Sequence, residues 1–446
     1  MTTPIRDFVE KYAASNAARL HMPGHKGRGP LGCEALDITE VSGADALYEA
    51  EGVIAESEQN ATALFETGRT LYSTEGSSQC IRAMLYLALT GAEAGEARPL
   101  CLAGRNAHKA FLFAAALCDF DVEWLWPEEE GGSVCACSIS PEGLERALDS
   151  LDRRPFCVYV TTPDYLGGQL DVGALAKVCH GRGIPLLVDN AHGAYLKFLT
   201  GRRHPMELGA DLCCDSAHKT LPVLTGGAYL HISGEALSRY GEGAKRALAL
   251  FGSTSPSYLI LQSLDCANAA LAADFAARLA DCCARVAALK EALRTRDFDV
   301  LTTEPAKLTL RTDGLRAAEL LRAAGVECEY ADANHLVLMF SPDNDAEDYA
   351  RAARALSRPL AVPAIEAELP RRTEQVMSIR SAMFAPAEQI GVEEAEGRVC
   401  AAPTVSCPPA VPIAVSGERV TRAHIRALRA YGLKEIAVVR KERKMR

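Results

Sequence analysis

Three side chains that could do chemistry stand within four residues, in the segment Ser216-Ala-His-Lys219. They follow the apolar run Asp211–Asp215, and about thirty residues before the lysine another apolar run, Leu186–Asp189, ends in a carboxylate with His192 three positions on. An amine and a carboxylate, each at a strand end, are what an enzyme needs to hold pyridoxal phosphate (PLP). The lysine forms a Schiff base with the aldehyde, and the acid keeps the pyridine nitrogen protonated. A lone lysine of this kind is more often a solvated surface residue, but the two strand ends together favour the cofactor.

Three loops could complete such a site. Glu75-Gly-Ser-Ser78 opens a predicted helix, and its N–H groups and hydroxyls suit a phosphate monoester as well as they suit a plain helix cap. His108, in Arg105-Asn-Ala-His-Lys109, could lie on the face of an aromatic cofactor, although a lone histidine is more often a cap or a core residue. The hydroxyl-rich Ser253-Thr-Ser-Pro-Ser-Tyr258 is either a helix start or a phosphate ligand for a neighbouring subunit.

The elements that must position these loops alternate between short apolar strands and helices of about ten residues, which predicts an α/β fold with a mostly parallel sheet. Ligands in such sheets lie beyond the carboxyl ends of the strands, where the loops above fall. An Ala-rich stretch from Leu264 to Arg294 predicts one long amphipathic helix. The predicted strands are Pro99–Ala103, Val122–Trp126, Cys157–Thr161, Pro185–Asp189, Asp211–Asp215 and Gly227–His231.

Length and composition limit the classes of function. The 446 residues predict two or three domains, and the net charge of −10 shows no basic footprint for nucleic acid. No apolar stretch approaches the length needed to cross a bilayer, and the amino-terminal residues lack a signal-peptide pattern. Most of the sixteen cysteines fall outside any zinc spacing, so we expect no metal site and a reducing, cytoplasmic location.

The order of these motifs resembles one family, the PLP-dependent ornithine/lysine/arginine decarboxylases of fold type I, the aspartate-aminotransferase fold. The resemblance covers nearly the whole chain. Its most specific segments are His21-Met-Pro-Gly-His-Lys-Gly27 and Ser216-Ala-His-Lys219. The other segments that carry it are Arg105–Lys109, Asp189-Asn-Ala-His-Gly193, Thr254–Tyr258, Glu394-Ala-Glu-Gly-Arg398, Pro408-Pro-Ala-Val-Pro412 and Ser416-Gly-Glu418.

The resemblance implies a role for each candidate residue. Lys219 would be the Schiff-base lysine, Asp189 the partner of the pyridine nitrogen, and His108 the residue stacked on the ring. His192 would flank the pyridine edge, and Lys219 or His218 would return the proton to Cα. The residues that would surround the phosphate or the Schiff base are Ser77, Ser78, Ser216 and His218, with Ser253 reaching the phosphate across a homodimer interface.

The resemblance also implies a domain plan and a reaction. We expect an amino-terminal segment (1–35), a PLP-binding large domain (36–280), a small α/β domain (281–360) and a decarboxylase-type carboxy-terminal domain (361–446). The expected reaction removes CO2 from a small-molecule amino acid, most simply a basic one, and gives an amine for polyamine biosynthesis. Glu418 is a candidate partner for a basic substrate side chain.

The chain departs from the family pattern where substrate would be recognised. Asn190 and Tyr195 replace a glutamate and a histidine, Ala110 replaces a serine, and Ser416 replaces a proline. An aminotransferase or a β-eliminating lyase would share the PLP residues but would usually need an arginine to bind the α-carboxylate. Arg105 is the one motif arginine near the carboxyl end of the sheet, so the sequence favours decarboxylation. A catalytically inactive regulator is the non-enzyme alternative, and the intact lysine and aspartate argue against it.

Overall fold

The computed structural model describes residues 1–92, 97–128, 133–362, 370–405 and 409–441. Pro408 of the carboxy-terminal motif and residues 363–369, next to the predicted boundary at 361, lie outside the described residues. Among the residues that are described, no helix combines the length and the apolar character needed to span a bilayer.

The strands are short and most of them are buried. The central ones read as continuous apolar runs because both of their faces are covered by other elements. In chain order they are β1 Arg69–Ser73, β2 Leu100–Gly104, β3 Asp121–Leu125, β4 Cys157–Thr161, β5 Leu186–Asp189, β6 Leu212–Asp215, β7 Ala228–Ile232, β8 Asp299–Val300, β9 Lys307–Arg311, β10 Tyr330–Ala331, β11 His335–Met339, β12 Ala387–Gly391, β13 Thr404–Val405, β14 Pro412–Ala414 and β15 Glu435–Val439.

The helices begin at recognisable signals. Pro4 opens the first helix, and Ser140, Ser257 and Asp345 cap later ones with their side chains. In chain order they are α1 Pro4–Ala14, α2 Val53–Phe65, α3 Gly76–Thr90, α4 Lys109–Cys118, α5 Pro141–Asp149, α6 Val172–Gly181, α7 Pro205–Leu208, α8 Ala217–Thr220, α9 Leu237–Tyr240, α10 Ala244–Leu250, α11 Tyr258–Ala270, α12 Ala276–Arg294, α13 Gly314–Ala323, α14 Ala346–Ala355, α15 Ile379–Met383 and α16 Arg422–Ala430.

The chain divides into two compact units. The first consists of Met1–Ala94 and Val172–Leu279 and contains strands in the order β1-β7-β6-β5. Within it β5 and β6 run parallel, while β7 is antiparallel to both of its neighbours. Because β5 and β6 are parallel, their carboxyl ends, which carry Asp189 and Asp215, meet at the same edge.

The second unit consists of Gly95–Asp171 and Ala280–Arg446. It contains the parallel strands β4-β2-β3, an antiparallel four-stranded sheet β10-β11-β9-β8, and two antiparallel pairs, β12-β15 and β13-β14. One buried core forms between α12, α13, α14 and strands β9 and β11. A second core collects buried side chains of the carboxy-terminal segment around β14, α16 and β15.

These elements confirm the predicted α/β architecture, with a mostly parallel central sheet flanked by helices, and each of the six predicted strands is present within one or two residues. The long helix differs in detail. It begins earlier, at Tyr258, and a π-helical turn at Leu271–Phe275 separates α11 from α12. The four domain boundaries remain predictions.

Candidate active site

Asp189 is the last residue of β5, and its side chain is 2% exposed. It lies opposite Cys214 of β6 in the parallel register. Its Oδ1 accepts the N–H of Ala191 at 3.2 Å, and the Cys214 thiol donates to the same oxygen at 3.6 Å. The carboxylate is therefore held at the strand end by the turn that follows it.

Lys219 lies on the short helix α8, which starts directly after β6. The Lys219 Nζ is 3.0 Å from the Nε2 of His192, which belongs to the turn after Asp189. The backbone N–H of Lys219 donates to the carbonyl of Ser216 at 3.0 Å and closes that turn. The structure thus brings the two strand-end motifs together and places the lysine amine in contact with the imidazole.

His218 is half-buried, and its Nδ1 donates to the carbonyl of Gly227 at 3.0 Å. Burial, together with the charge of the adjacent Lys219, lowers the pKa of His218 below its usual value. A neutral ring whose Nδ1 carries the proton leaves its Nε2 as an acceptor.

The sequence predicts an anion cradle at the start of α3. The Ser216 hydroxyl donates to the Ser77 hydroxyl at 2.7 Å, so residues of the β1 and β6 loops meet. The N–H of Gly76 donates to the carbonyl of Gly226 at 2.7 Å. Gly226 has φ +104, and a Cβ there would lie 2.8 Å from the Thr74 carbonyl oxygen, so only glycine fits this approach.

The other two predicted phosphate residues lie in the same unit. Ser78 is half-buried in the first turn of α3. Ser253 is exposed, its N–H donates to the Glu75 carboxylate, and its hydroxyl accepts the N–H of Ser255 at 3.1 Å. Ser253 is thus fastened to the residue that precedes α3.

His108 belongs to the second unit. It is half-buried and caps α4, because its Nδ1 accepts the N–H of Ala110 at 3.1 Å. The backbone N–H of the next residue, Lys109, donates to the carbonyl of Ala410 at 3.0 Å. The loop that carries His108 is therefore bound to a segment of the carboxy-terminal region.

Arg105 strengthens that attachment. Its guanidinium donates to the carbonyls of Pro412 at 2.7 Å and Ile413 at 3.0 Å. It also lies 5.3 Å from the ring centre of Trp124 and 5.4 Å from that of Trp126. Only 9% of the surface of Arg105 is exposed, so its contacts lie inside the protein.

Glu418 is 1% exposed and faces the same arginine, with its Oε2 3.6 Å from the Arg105 Nη2. Its carboxylate also accepts from the Val415 N–H at 2.8 Å and from the Thr373 hydroxyl, and the His424 Nε2 lies 3.4 Å away. Burial by itself raises the pKa of Glu418, but Arg105 and His424 outweigh it and hold the pKa below its usual value. The idea that Glu418 meets substrate stays a prediction.

A buried group next to the candidate site, Asp215, is absent from the sequence predictions. Asp215, the residue just before Ser216, lies between His204 and His231 and also accepts from Asn190. Its position in the chain was a usable signal, since a carboxylate at a buried strand end needs partners. The two histidines gave no local signal, because one precedes α7 and the other lies within β7.

Comparison with known proteins identifies the family. The model of the Orn/Lys/Arg decarboxylase major domain matches residues 3–309, and that of the family's C-terminal domain matches residues 367–434. The chain belongs to the Orn/Lys/Arg decarboxylase family. This membership confirms the predicted enzyme class, an amino-acid decarboxylase, and does not favour an aminotransferase or a β-eliminating lyase.

Individual relatives can be aligned with almost the whole chain. YaaO of Bacillus subtilis is 28% identical, with 96% of this chain and 94% of YaaO covered. An arginine decarboxylase of B. subtilis is 27% identical, with 95% of this chain and 92% of the relative covered. The constitutive lysine decarboxylase of E. coli superposes with a TM-score of 0.79 at 18% identity, covering 98% of this chain and 82% of that one. The predicted fold type I is thereby confirmed.

Proposed function

We propose that this decarboxylase uses PLP to remove the α-carboxyl group of a basic amino acid, namely arginine, lysine or ornithine, and releases the amine. The observation that carries the proposal is the contact between Lys219 and His192, which joins the amine-bearing turn to the turn that begins at Asp189. The arginine decarboxylase relatives support the choice of substrate class.

The side chains present fit PLP. The cofactor has an aldehyde, a pyridine nitrogen and a phosphate, and the first unit offers an amine, a buried carboxylate and a helix start lined by hydroxyls. Lys219 would hold the aldehyde carbon covalently, and Asp189 would accept the N–H of the pyridine. The phosphate would lie at the start of α3, among Ser77, Ser78 and Ser216. When bound, PLP supplies an electron sink for the bond that breaks.

The chain's own residues would orient the bound cofactor and substrate, and they would move protons. Asp189 is 2% exposed, so its charge would act in a medium of low dielectric. Lys219 or His218 would return a proton to Cα after CO2 has left. Because the Nε2 of neutral His218 is an acceptor, that nitrogen is the atom through which the imidazole would take up and release the proton. His192 would flank the pyridine edge and hold the lysine amine.

The remaining assignments rest on the family resemblance. We propose that His108 lies on the face of the cofactor ring and that Ser253 reaches the phosphate of a partner subunit in a homodimer. The exposure of Ser253 is consistent with such a role. We further propose a cytoplasmic enzyme whose amine product enters polyamine biosynthesis.

The test uses purified protein loaded with PLP. Wild-type protein should show the visible absorbance of a lysine-linked PLP, and Lys219→Ala should lose it while still folding. A Lys219→Ala protein with an unchanged chromophore would refute the assignment. A panel of amino acids, scored for CO2, amine and keto acid by mass, then identifies the substrate, and release of a keto acid instead of CO2 would contradict the proposed reaction.

A further inference from the structure

A cluster of polar side chains lies fully buried behind the candidate active site, within the first unit. Asp215, His204 and His231 are each 0% exposed. The Asp215 Oδ2 is 3.0 Å from the His204 Nε2 and 3.1 Å from the His231 Nε2. Two histidines and a carboxylate at these distances form either a metal site or a hydrogen-bonded cluster. The positions of the protons on the imidazole nitrogens distinguish the two.

The hydrogen bonds of His204 argue against a metal ligand at the nitrogen that faces Asp215. Its Nδ1 accepts the backbone N–H of Met206 at 3.4 Å at the start of α7, and an amide N–H is always a donor. That ring nitrogen therefore carries no proton, so in the neutral ring the Nε2 must carry it. A metal would need the lone pair of the same Nε2. The Nε2–H group instead donates a hydrogen bond to the Asp215 carboxylate.

His231 completes the same arrangement from the other side. Its Nδ1 is 2.8 Å from the Thr70 hydroxyl. Burial lowers the pKa of His231 in spite of the nearby carboxylate, which favours the neutral ring at physiological pH. Burial alone would raise the pKa of Asp215, but the two imidazoles outweigh it and hold the pKa well below its usual value. The cluster is therefore an ionised carboxylate that accepts hydrogen bonds from the imidazole N–H groups.

A third donor links this carboxylate to the active-site turn. The Asn190 Nδ2 donates to the Asp215 Oδ1 at 2.6 Å, and Asn190 stands where the family pattern has a glutamate. The Asn190 carbonyl accepts the N–H of Gly193 at 2.8 Å, which closes the turn that contains His192. A second carboxylate at position 190 would repel Asp215, whereas an amide supplies a donor.

We propose that Asp215 is a positioning residue that fixes both turns of the active site. Through Asn190 it holds the turn that carries Asp189 and His192. Through the chain it holds Ser216, its direct neighbour, and the turn that ends in Lys219. This inference rests on the proposed function, because its consequence is the placement of residues that would bind PLP.

The experiment compares two substitutions that each remove one side-chain partner from the cluster. Asn190→Ala removes the link to the active-site turn, and Thr70→Val removes the far partner of His231 without changing the shape of the side chain. Both full-length variants and the wild type are titrated with PLP, followed by fluorescence quenching and by the lysine-linked absorbance. Melting temperature and bound zinc are measured on the same samples.

We expect Asn190→Ala to weaken PLP binding by about tenfold or more, the effect of losing a hydrogen bond to a charged group. Thr70→Val should lower the melting temperature but leave PLP affinity within about twofold of wild type, as expected for a neutral bond outside the link. If Asn190→Ala does not fold, Asn190→Ser, whose side chain is too short to reach Asp215, gives the same comparison.

Three results would overturn the proposal. Equal PLP affinity in wild type and in the Asn190 variant would make the cluster purely structural. An equal loss of PLP affinity in the Thr70 variant would remove the special role of the link. One bound zinc per chain in wild-type protein would show that the cluster is a metal site and not a set of hydrogen bonds. Absence of PLP binding by the wild type would instead refute the proposed function, and this inference with it.

Discussion

The Nζ of Lys219 lies 3.0 Å from the Nε2 of His192, although the two residues belong to different strand-end turns. His192 is 4% exposed, so the lysine amine has a fixed neighbour within a mostly buried site. Lys219 itself is half-buried.

We expect His192→Phe to lower kcat by about tenfold or more, because it removes the imidazole that holds the Lys219 amine. His192→Gln keeps an acceptor for that amine, so it should retain PLP and most of the kcat. The check is steady-state kinetics with the best amino acid of the panel. The control is His180→Gln, at a more exposed histidine that pairs with Asp211. An unchanged kcat in the phenylalanine variant would contradict a positioning role for His192.

Ser216→Ala should weaken PLP binding, because it removes the hydroxyl that meets Ser77 at 2.7 Å. The expected loss is about three- to tenfold, the usual range for one neutral hydrogen bond. Titration of the apoprotein with PLP measures it. Ser140→Ala is a matched control that removes a hydroxyl capping α5, and it should lower the melting temperature without changing PLP affinity. The assignment of Ser216 fails if both variants bind PLP like wild type.

Glu418→Ala should destabilise the protein by about 3–5 kcal/mol, because it leaves the buried Arg105 guanidinium without its carboxylate. Chemical unfolding followed by fluorescence of Trp124 and Trp126, the two tryptophans of the chain, reports on this region. Glu374→Ala breaks an exposed pair with Arg419 and should change stability far less. A Glu418→Ala protein that is as stable as wild type but has lost its preference among substrates would favour the substrate role instead.

Asp164 should make the stability depend on pH. Burial raises its pKa from 3.8 to about 6. Between those two values the folded state binds more protons than the unfolded state, so the free energy of unfolding falls as the pH rises through this window. The expected loss from this group is about 2 kcal/mol between pH 4 and pH 6, out of about 3 kcal/mol over its whole titration.

Asp164→Asn keeps an oxygen to accept the Gly168 N–H, a bond of 2.9 Å in the wild type, but cannot ionise. Relative to wild type it should become progressively more stable as the pH rises from 4 to 6. Unfolding midpoints measured at several pH values test this expectation. A stability difference that is constant across the range would show that Asp164 does not titrate there.

The strands and the active-site turns were predictable because each is encoded locally. Leu186–Asp189 and Leu212–Asp215 are buried along their whole length, and continuous apolar runs predict that state directly. The same holds for His108, whose place before α4 follows from the loop pattern.

The rest depends on contacts between distant residues. Arg105 and Glu418 are far apart in the sequence, and neither carries a local sign that it faces the other. The pairing of Asp215 with His204 and His231 likewise appears only after β7 and the turn before α7 are in place. The π-helical turn at Leu271–Phe275 was also missed, because its residues are ordinary helix formers.

The division of the first unit into two stretches of chain, Met1–Ala94 and Val172–Leu279, bears on how the protein is made. Within the described residues of that unit, strand β1 pairs with β7 alone, and β7 leaves the ribosome after some 155 further residues. At about 5–20 residues per second, the nascent β1 waits about 8–30 s for its partner. During that interval its backbone donors and acceptors are open to other chains, so the unpaired strand is exposed to aggregation during synthesis.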